Sequence, residues 1–175
     1  MIRKKLIFIL TAIILCCSAC RFLGMTVTYN MSGGSLDPAI KTFSVDYFPN
    51  KAPLVMPTLS STFTDKLTEY IRKKTGLNQL TDNNGDIRFE GQITEYSQRP
   101  MDITSNEVAA SNRLTIGIRV KYTNTLDDKF DFSTTFTHYA DYSTDADFNS
   151  IEESLIEEIL EKIIEDIYNK AVVNW

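Results

Sequence analysis

From Ile151 to Val172, apolar residues recur at every third or fourth position, and most of what separates them is acidic. Ile151, Leu155, Ile156, Ile159, Leu160, Ile163, Ile164, Ile167, Tyr168, Ala171 and Val172 fall on one stripe, while Glu152, Glu153, Glu157, Glu158, Glu161, Glu165 and Asp166 cover the rest. At 3.6 residues per turn this pattern makes a long helix with one apolar side. Such a helix cannot stand alone; it needs a second layer against which to bury that side. Ser150 and Glu153 have the S-x-x-E spacing of a capping box, which predicts the helix start.

The second layer is legible upstream as period-two alternation. Leu114, Ile116, Ile118, Val120 and Tyr122 alternate with polar residues, as a strand with one buried face does. Phe43, Val45 and Tyr47 alternate in the same way, as do Ile87, Phe89 and Ile93, and Phe130, Phe132 and Phe136. Between the first two strands, Leu59, Phe63, Leu67, Tyr70 and Ile71 predict a helix starting near Thr58 or Leu59, with Gly76 at its C-terminal cap. Pro49, Pro53 and Pro57 stiffen the loop before it; Asp82-Asn83-Asn84-Gly85 and Asn124 to Lys129 read as turns. Residues 97–112, polar and containing Pro100, read as a long loop.

The order β-α-β-β-β-α predicts an α+β two-layer sandwich, a four-stranded sheet with two helices on one face. The later strand connections suit antiparallel pairs. The first two strands, joined through a helix, suit a parallel pair in the same sheet.

The N-terminus carries a different message. Arg3, Lys4 and Lys5 precede an apolar run from Leu6 to Leu15, followed by Cys16-Cys17-Ser18-Ala19-Cys20. A basic n-region, a short apolar stretch and small residues before a cut site make a secretory signal peptide, expected over 1–19. The run is too short to cross a bilayer, which takes about 20 apolar residues. Ser18-Ala19-Cys20 resembles the bacterial lipobox, with Cys17 where Leu is usual. On that reading Cys20 becomes the first mature residue, thioether-linked to diacylglycerol and N-acylated. Residues 20–39 are then a tether, and 40–175 one domain. The other reading is an ordinary cleaved leader with Cys20 incidental. All three cysteines lie at 16, 17 and 20, which leaves a mature domain with neither a disulfide framework nor a thiolate metal site.

Of 18 basic and 23 acidic residues, three basic ones lie in the leader, so the mature charge is −8. That argues against nucleic acid, whose phosphates call for a basic footprint. Neither G-x-S-x-G, nor H-E-x-x-H, nor a phosphate-cradling glycine loop occurs, and no cofactor is implied. The single histidine, His138, shares parity with Phe130, Phe132 and Phe136 and is expected at the core or its rim as a structural residue. Asp82, Asp86 and Asp127-Asp128 are turn residues first; their spacing is not that of an EF-hand loop. The third strand offers more. Arg113, Thr115, Arg119 and Lys121 point away from the core by period two, and Arg88 joins them if register allows. Such a stripe can receive phosphates or a partner's acidic side chains. The blander reading is a solvated face balanced by Glu90 and Asp131.

Together these stretches carry a resemblance. Phe43-Ser44-Val45-Asp46-Tyr47-Phe48-Pro49-Asn50-Lys51-Ala52-Pro53, the helix from Leu59 to Lys74, Gly91-Gln92-Ile93-Thr94-Glu95-Tyr96, Asn112-Arg113-Leu114-Thr115, and the closing Tyr168-Asn169-Lys170-Ala171-Val172-Val173-Asn174-Trp175 run in an order that resembles the LptE family, the lipopolysaccharide-assembly lipoproteins of Gram-negative outer membranes. None is a catalytic signature; the specificity lies in their order. The resemblance implies two helices on a four-stranded sheet and a non-enzymatic role. It implies a plug inside an LptD-type outer-membrane β-barrel, which helps that barrel fold and deliver lipopolysaccharide to the outer leaflet. Direct lipopolysaccharide binding by basic residues is also attributed to the family. No short motif transfers those residues, so Arg88, Arg113, Arg119 and Lys121 stand as candidates on physical grounds. Arg21 rather than Asp after Cys20 gives no inner-membrane retention cue, and the anchor is placed in the outer membrane by analogy. The competing expectation is an independent periplasm-facing lipoprotein that binds a small ligand or an envelope polymer.

Overall fold

The computed structural model describes residues 36–54, 56–101 and 111–173. The expected signal peptide, Cys20, the tether up to residue 35 and residues 102–110 of the expected loop lie outside them. In chain order the elements are β1 (Thr42–Val45), α1 (Leu59–Thr75), β2 (Asn78–Gln79), β3 (Ile87–Pro100), β4 (Ser111–Asn124), a 3-10 turn (Asp128–Phe130), β5 (Phe132–Ser143) and α2 (Phe148–Tyr168), which closes in a π-helical turn (Asn169–Val173). The sheet order is β2-β1-β3-β4-β5. β1 runs parallel to β2 and β3, while β3-β4 and β4-β5 are antiparallel. The two-helix α+β architecture and the parallel first pair match the sequence expectation.

The sheet has five strands rather than four. The addition, β2, is two exposed residues long, too short to carry a periodicity. It is held by backbone bonds from Asn78 N to Lys41 O and from Leu80 N to Phe43 O.

The apolar faces meet between the layers. Phe43, Ile87, Phe89, Ile93, Leu114, Ile116, Ile118, Val120 and Tyr122 are buried beneath Leu59, Phe63, Leu67 and Ile71 of α1 and the expected stripe of α2. The helices are tied to each other by an edge-on contact of Tyr70 with Tyr168 and by an ion pair from Lys66 to Glu157. Gly76 caps α1 in the left-handed conformation, φ 69°, where lack of a Cβ removes the steric cost.

Four local expectations are corrected. First, β1 ends at Val45, and Tyr47 is exposed. The chain turns so that Phe48 rather than Tyr47 enters the core, where its ring meets Phe63 edge-on at 4.9 Å. Second, α2 begins before the expected capping box. Asp147 is the N-cap and accepts from Asn149 N, while Ser150 lies inside the first turn and donates to the Asp147 carbonyl. Phe148 packs on Tyr142, which seats that earlier turn against the sheet. Third, Phe130 belongs to the 3-10 turn and is exposed. Fourth, residues 97–100 and 111–112 are strand, not loop. A bulge between Ile93 and Glu95 shifts the parity of β3, so Tyr96 faces the core and Glu95 does not. An extra residue in one strand breaks period two for everything beyond it, which is why the sequence alternation stops at Ile93. Pro100 is tolerated because it is the last residue of the strand.

Two glycines, Gly85 and Gly91, are required by close approach. A Cβ on Gly91 would sit 2.0 Å from the Arg119 carbonyl oxygen and 2.6 Å from Phe48 Cε1. Gly91→Ala is therefore expected to cost about 1–3 kcal/mol through overpacking, read as a lowered thermal midpoint. An unchanged midpoint would mean that β3 and β4 separate freely to admit the methyl group.

Candidate functional site

Both helices lie on one face of the sheet, and the side chains of the opposite face follow from parity and register. Gln92 pairs with Arg119, Glu90 with Lys121, Arg88 with Thr123 and Arg99 with Arg113 across β3 and β4. Arg113 pairs with Asp141, Arg119 with Thr135 and Lys121 with Ser133 across β4 and β5. All four expected basic residues, Arg88, Arg113, Arg119 and Lys121, thus share one face. Register brings Arg88 in, as the sequence left conditional.

Sharing a face does not give them equal charge. Arg113 is clasped by Asp141 through two bonds, Nε to Oδ1 at 2.7 Å and Nη2 to Oδ2 at 2.8 Å, and its guanidinium lies 3.5 Å from the centre of the Tyr139 ring. This fork-to-carboxylate geometry is strong and neutralising, and it holds the Asp141 carboxyl below the usual range. Lys121 Nζ donates to Glu90 Oε2 at 2.9 Å, and that bond lowers the Glu90 carboxyl too. Asp46 is pushed the other way by burial first, then by the Glu90 charge, with Arg88 opposing. Arg88 is half-buried, and its Nε has no hydrogen-bond partner among the described residues. Of the four, Arg119 is the exposed one with no ion pair or hydrogen bond among the described residues. Glu90 balances the stripe as the blander reading expected. Asp131 does not: its Oδ1 accepts from Asn124 N in the turn.

Sequence reasoning missed three members of this face. Arg99 falls in the expected loop, beyond the bulge. Tyr139 and Asp141 lay past the point where the aromatic alternation of β5 fades. The signal for them was the complementary alternation, since Ser133, Thr135, Thr137 and Tyr139 put a hydroxyl at every second position.

His138 sits on the helix-side rim, as expected, with Nε2 2.7 Å from Asp166 Oδ2 on α2. The turn aspartates hold turns. Asp86 Oδ2 accepts from Lys41 N, Thr42 N and Thr42 Oγ1, and so staples the start of β1 to that of β3. Among the described residues no three His, Cys, Asp or Glu side chains gather as a metal-ligand set.

A two-layer α+β domain of this form defines a fold class represented among bacterial lipoproteins. A minor lipoprotein from Acinetobacter baumannii matches at TM-score 0.50 with 17% identity, over 75% of this chain and 91% of that one. A hypothetical protein from Chlamydia trachomatis matches at TM-score 0.51 with 9% identity, over 76% and 98%. At such identities the likeness is one of fold. No curated relative matches the chain by sequence. The family model of LptE, lipopolysaccharide assembly, matches residues 40–171. The chain belongs to the LptE family, and its role lies in lipopolysaccharide assembly.

Proposed function

We propose that this protein is a non-enzymatic lipoprotein, acylated on Cys20 and held in the outer membrane, that plugs an LptD-type β-barrel and assists its assembly for insertion of lipopolysaccharide into the outer leaflet. Residues 1–19 are then the signal peptide, 20–39 the acylated tether and 40–175 the plug. The observation that carries this reading is the family match over 40–171, which spans both helices and all five strands. The open sheet face supports it physically. The inside of an outer-membrane barrel is polar, and a face of hydroxyls and the ion-paired Arg113 and Lys121 suits such a wall, with Arg88, Arg99 and Arg119, which have no ion pair among the described residues, left to meet acidic or phosphate groups there. The mature charge of −8 weighs against strong general attraction to an anionic glycolipid, so the plug role is favoured over direct lipopolysaccharide capture. Where the face does meet a phosphate or a carboxylate, Arg119 is the residue to bet on, with Arg88, Arg113 and Lys121 beside it.

The test is a mild-detergent pull-down of the tagged full-length protein from envelopes, with the stoichiometric partner identified by mass spectrometry. A large outer-membrane barrel present one to one is expected. A lone lipoprotein would sink the reading and favour the independent ligand-binding alternative. In the same assay, Arg119→Glu is expected to weaken barrel retention by about tenfold, the effect of one like-charge contact of about 1.4 kcal/mol. Its unfolding midpoint should not change, because the side chain is exposed.

A further inference from the structure

At the end of the domain where β1 begins and α2 closes, there is a cleft of about 390 Å³. Its apolar lining is Leu36, Ile40, Leu126, Phe130, Ala171 and Val172. Leu36 and Ile40 precede β1, Leu126 and Phe130 belong to the turn between β4 and β5, and Ala171 and Val172 to the last turn of α2. Ile40, Ala171 and Val172 are buried, but Leu126 is 49% exposed and Phe130 40%. Two large apolar side chains thus stay half in water beside a hollow, and an apolar cover over them is favourable. Asp37 and Asp127 line the same cleft. Asp37 Oδ1 accepts from Ala39 N, and Asp127 Oδ1 from Lys129 N. A carboxylate has acceptor capacity beyond one such bond. It suits a neutral N–H donor and repels a phosphate, so part of an anionic glycolipid is a poor occupant.

The apolar stripe of α2 supplies a better one. The stripe runs through Ile164, Ile167, Tyr168, Ala171 and Val172, all buried. Its next member in the sequence, outside the described residues, is Trp175, four residues past Ala171 and three past Val172. That spacing returns to the same side of a helix. A helical side chain leans back over the turn N-terminal to its own Cα, so an indole at 175 falls over Ala171 and Val172, which line the cleft. We propose that Trp175 is the occupant of this cleft. The helix runs on by one turn, about 5.4 Å, and the indole covers Leu126 and Phe130 while its N–H donates to Asp37 or Asp127. Buried tryptophans take such a partner, one end apolar and the other satisfied. Docked there, a single ring ties the end of α2 to the β4–β5 turn and to the stretch that leads into β1. The cleft is then an extension of the core rather than a ligand pocket, whichever partner the open sheet face meets.

Trp175 is the chain's one tryptophan, so fluorescence of the full-length lipoprotein reports on this ring alone. In mild detergent the folded protein is expected to emit to the blue of the urea-unfolded chain and to be quenched several-fold less by acrylamide. Leu126→Glu and Phe130→Glu, both at exposed positions of the turn, are each expected to return emission and quenching toward the unfolded values with the circular dichroism unchanged. Nuclear Overhauser contacts from the indole to the Leu126 methyls and the Phe130 ring are expected in the unsubstituted protein, which needs no variant to fold. Unfolded-like emission in the folded protein would overturn the proposal, whatever else fills the cleft. A shielded indole without those contacts, or one that both variants leave shielded, would overturn it too, because the ring would then sit elsewhere. So would strong quenching by a bromine-labelled detergent, which marks a tryptophan seated in the micelle.

Discussion

Phe63→Ala is expected to remove about 3–5 kcal/mol of stability, a large share of the 5–15 kcal/mol by which a domain of this size is held together. Phe63 is fully buried on α1, and its ring meets the equally buried Phe48 edge-on. Phe48 in turn rests on Gly91, where the absent Cβ leaves room for it. Helix, two rings and strand therefore form one continuous stack from one layer to the other. Truncation at Phe63 leaves a void that cannot readily close. On one side β3 is fixed by its ladders to β1 and β4, and on the other Leu59, Leu67 and Ile71 hold the same face of α1 to the core. The loss thus combines the transfer term with a residual cavity. Urea unfolding should show a lowered midpoint at unchanged slope, and heating a fall of roughly 10 °C at about 2–4 °C per kcal/mol. A loss under about 1 kcal/mol would mean that α1 does not seat its first turns on the sheet in solution.

What the sequence made legible follows from periodicity, and what it hid follows from breaks in periodicity. The α2 stripe and the β4 alternation are long and unbroken, so their buried faces could be read position by position. Parity alone then put Arg113, Arg119 and Lys121 on the face away from the helices. β3 was legible only to Ile93, because the bulge there moves Tyr96 into the position that Glu95 would otherwise hold. Everything past it, Arg99 included, looked aperiodic. β2 has no period to detect, and the Ser150/Glu153 spacing of a capping box, three residues on, masks the true N-cap, Asp147. The charge state of the face needed one further level of information. That Arg113 is spoken for by Asp141 depends on the β4–β5 register, and twenty-seven residues of intervening chain say nothing about it. The free Arg119 could be told from the neutralised Arg113 only once the strands were aligned.

Cys20→Ser is expected to move the protein from the membrane fraction to the soluble one and to abolish incorporation of labelled fatty acid. Acylation requires the thiolate, which a hydroxyl does not replace in forming the thioether. Each buried CH₂ contributes about 0.8 kcal/mol, and one chain alone anchors only marginally, so an anchor of several chains is effectively permanent and its loss is close to complete. The rest of the chain supplies no substitute. Among the described residues no helix is long and apolar enough to cross a membrane, and the apolar stripes of α1 and α2 are already buried against the sheet. Cys17→Ser is the matched control and should leave labelling intact. If Cys20→Ser retained its label, the lipobox reading would fail and Cys16 or Cys17 would carry the modification. The same variant separates the two roles of an anchor. Tethering raises the effective concentration of plug and barrel in one membrane without adding a contact between them. Cys20→Ser should therefore lower the yield of barrel recovered from envelopes while leaving the affinity of the purified parts unchanged. Full recovery by the unanchored protein would mean that the plug finds its barrel through contacts alone, with acylation serving only to keep the protein at the membrane.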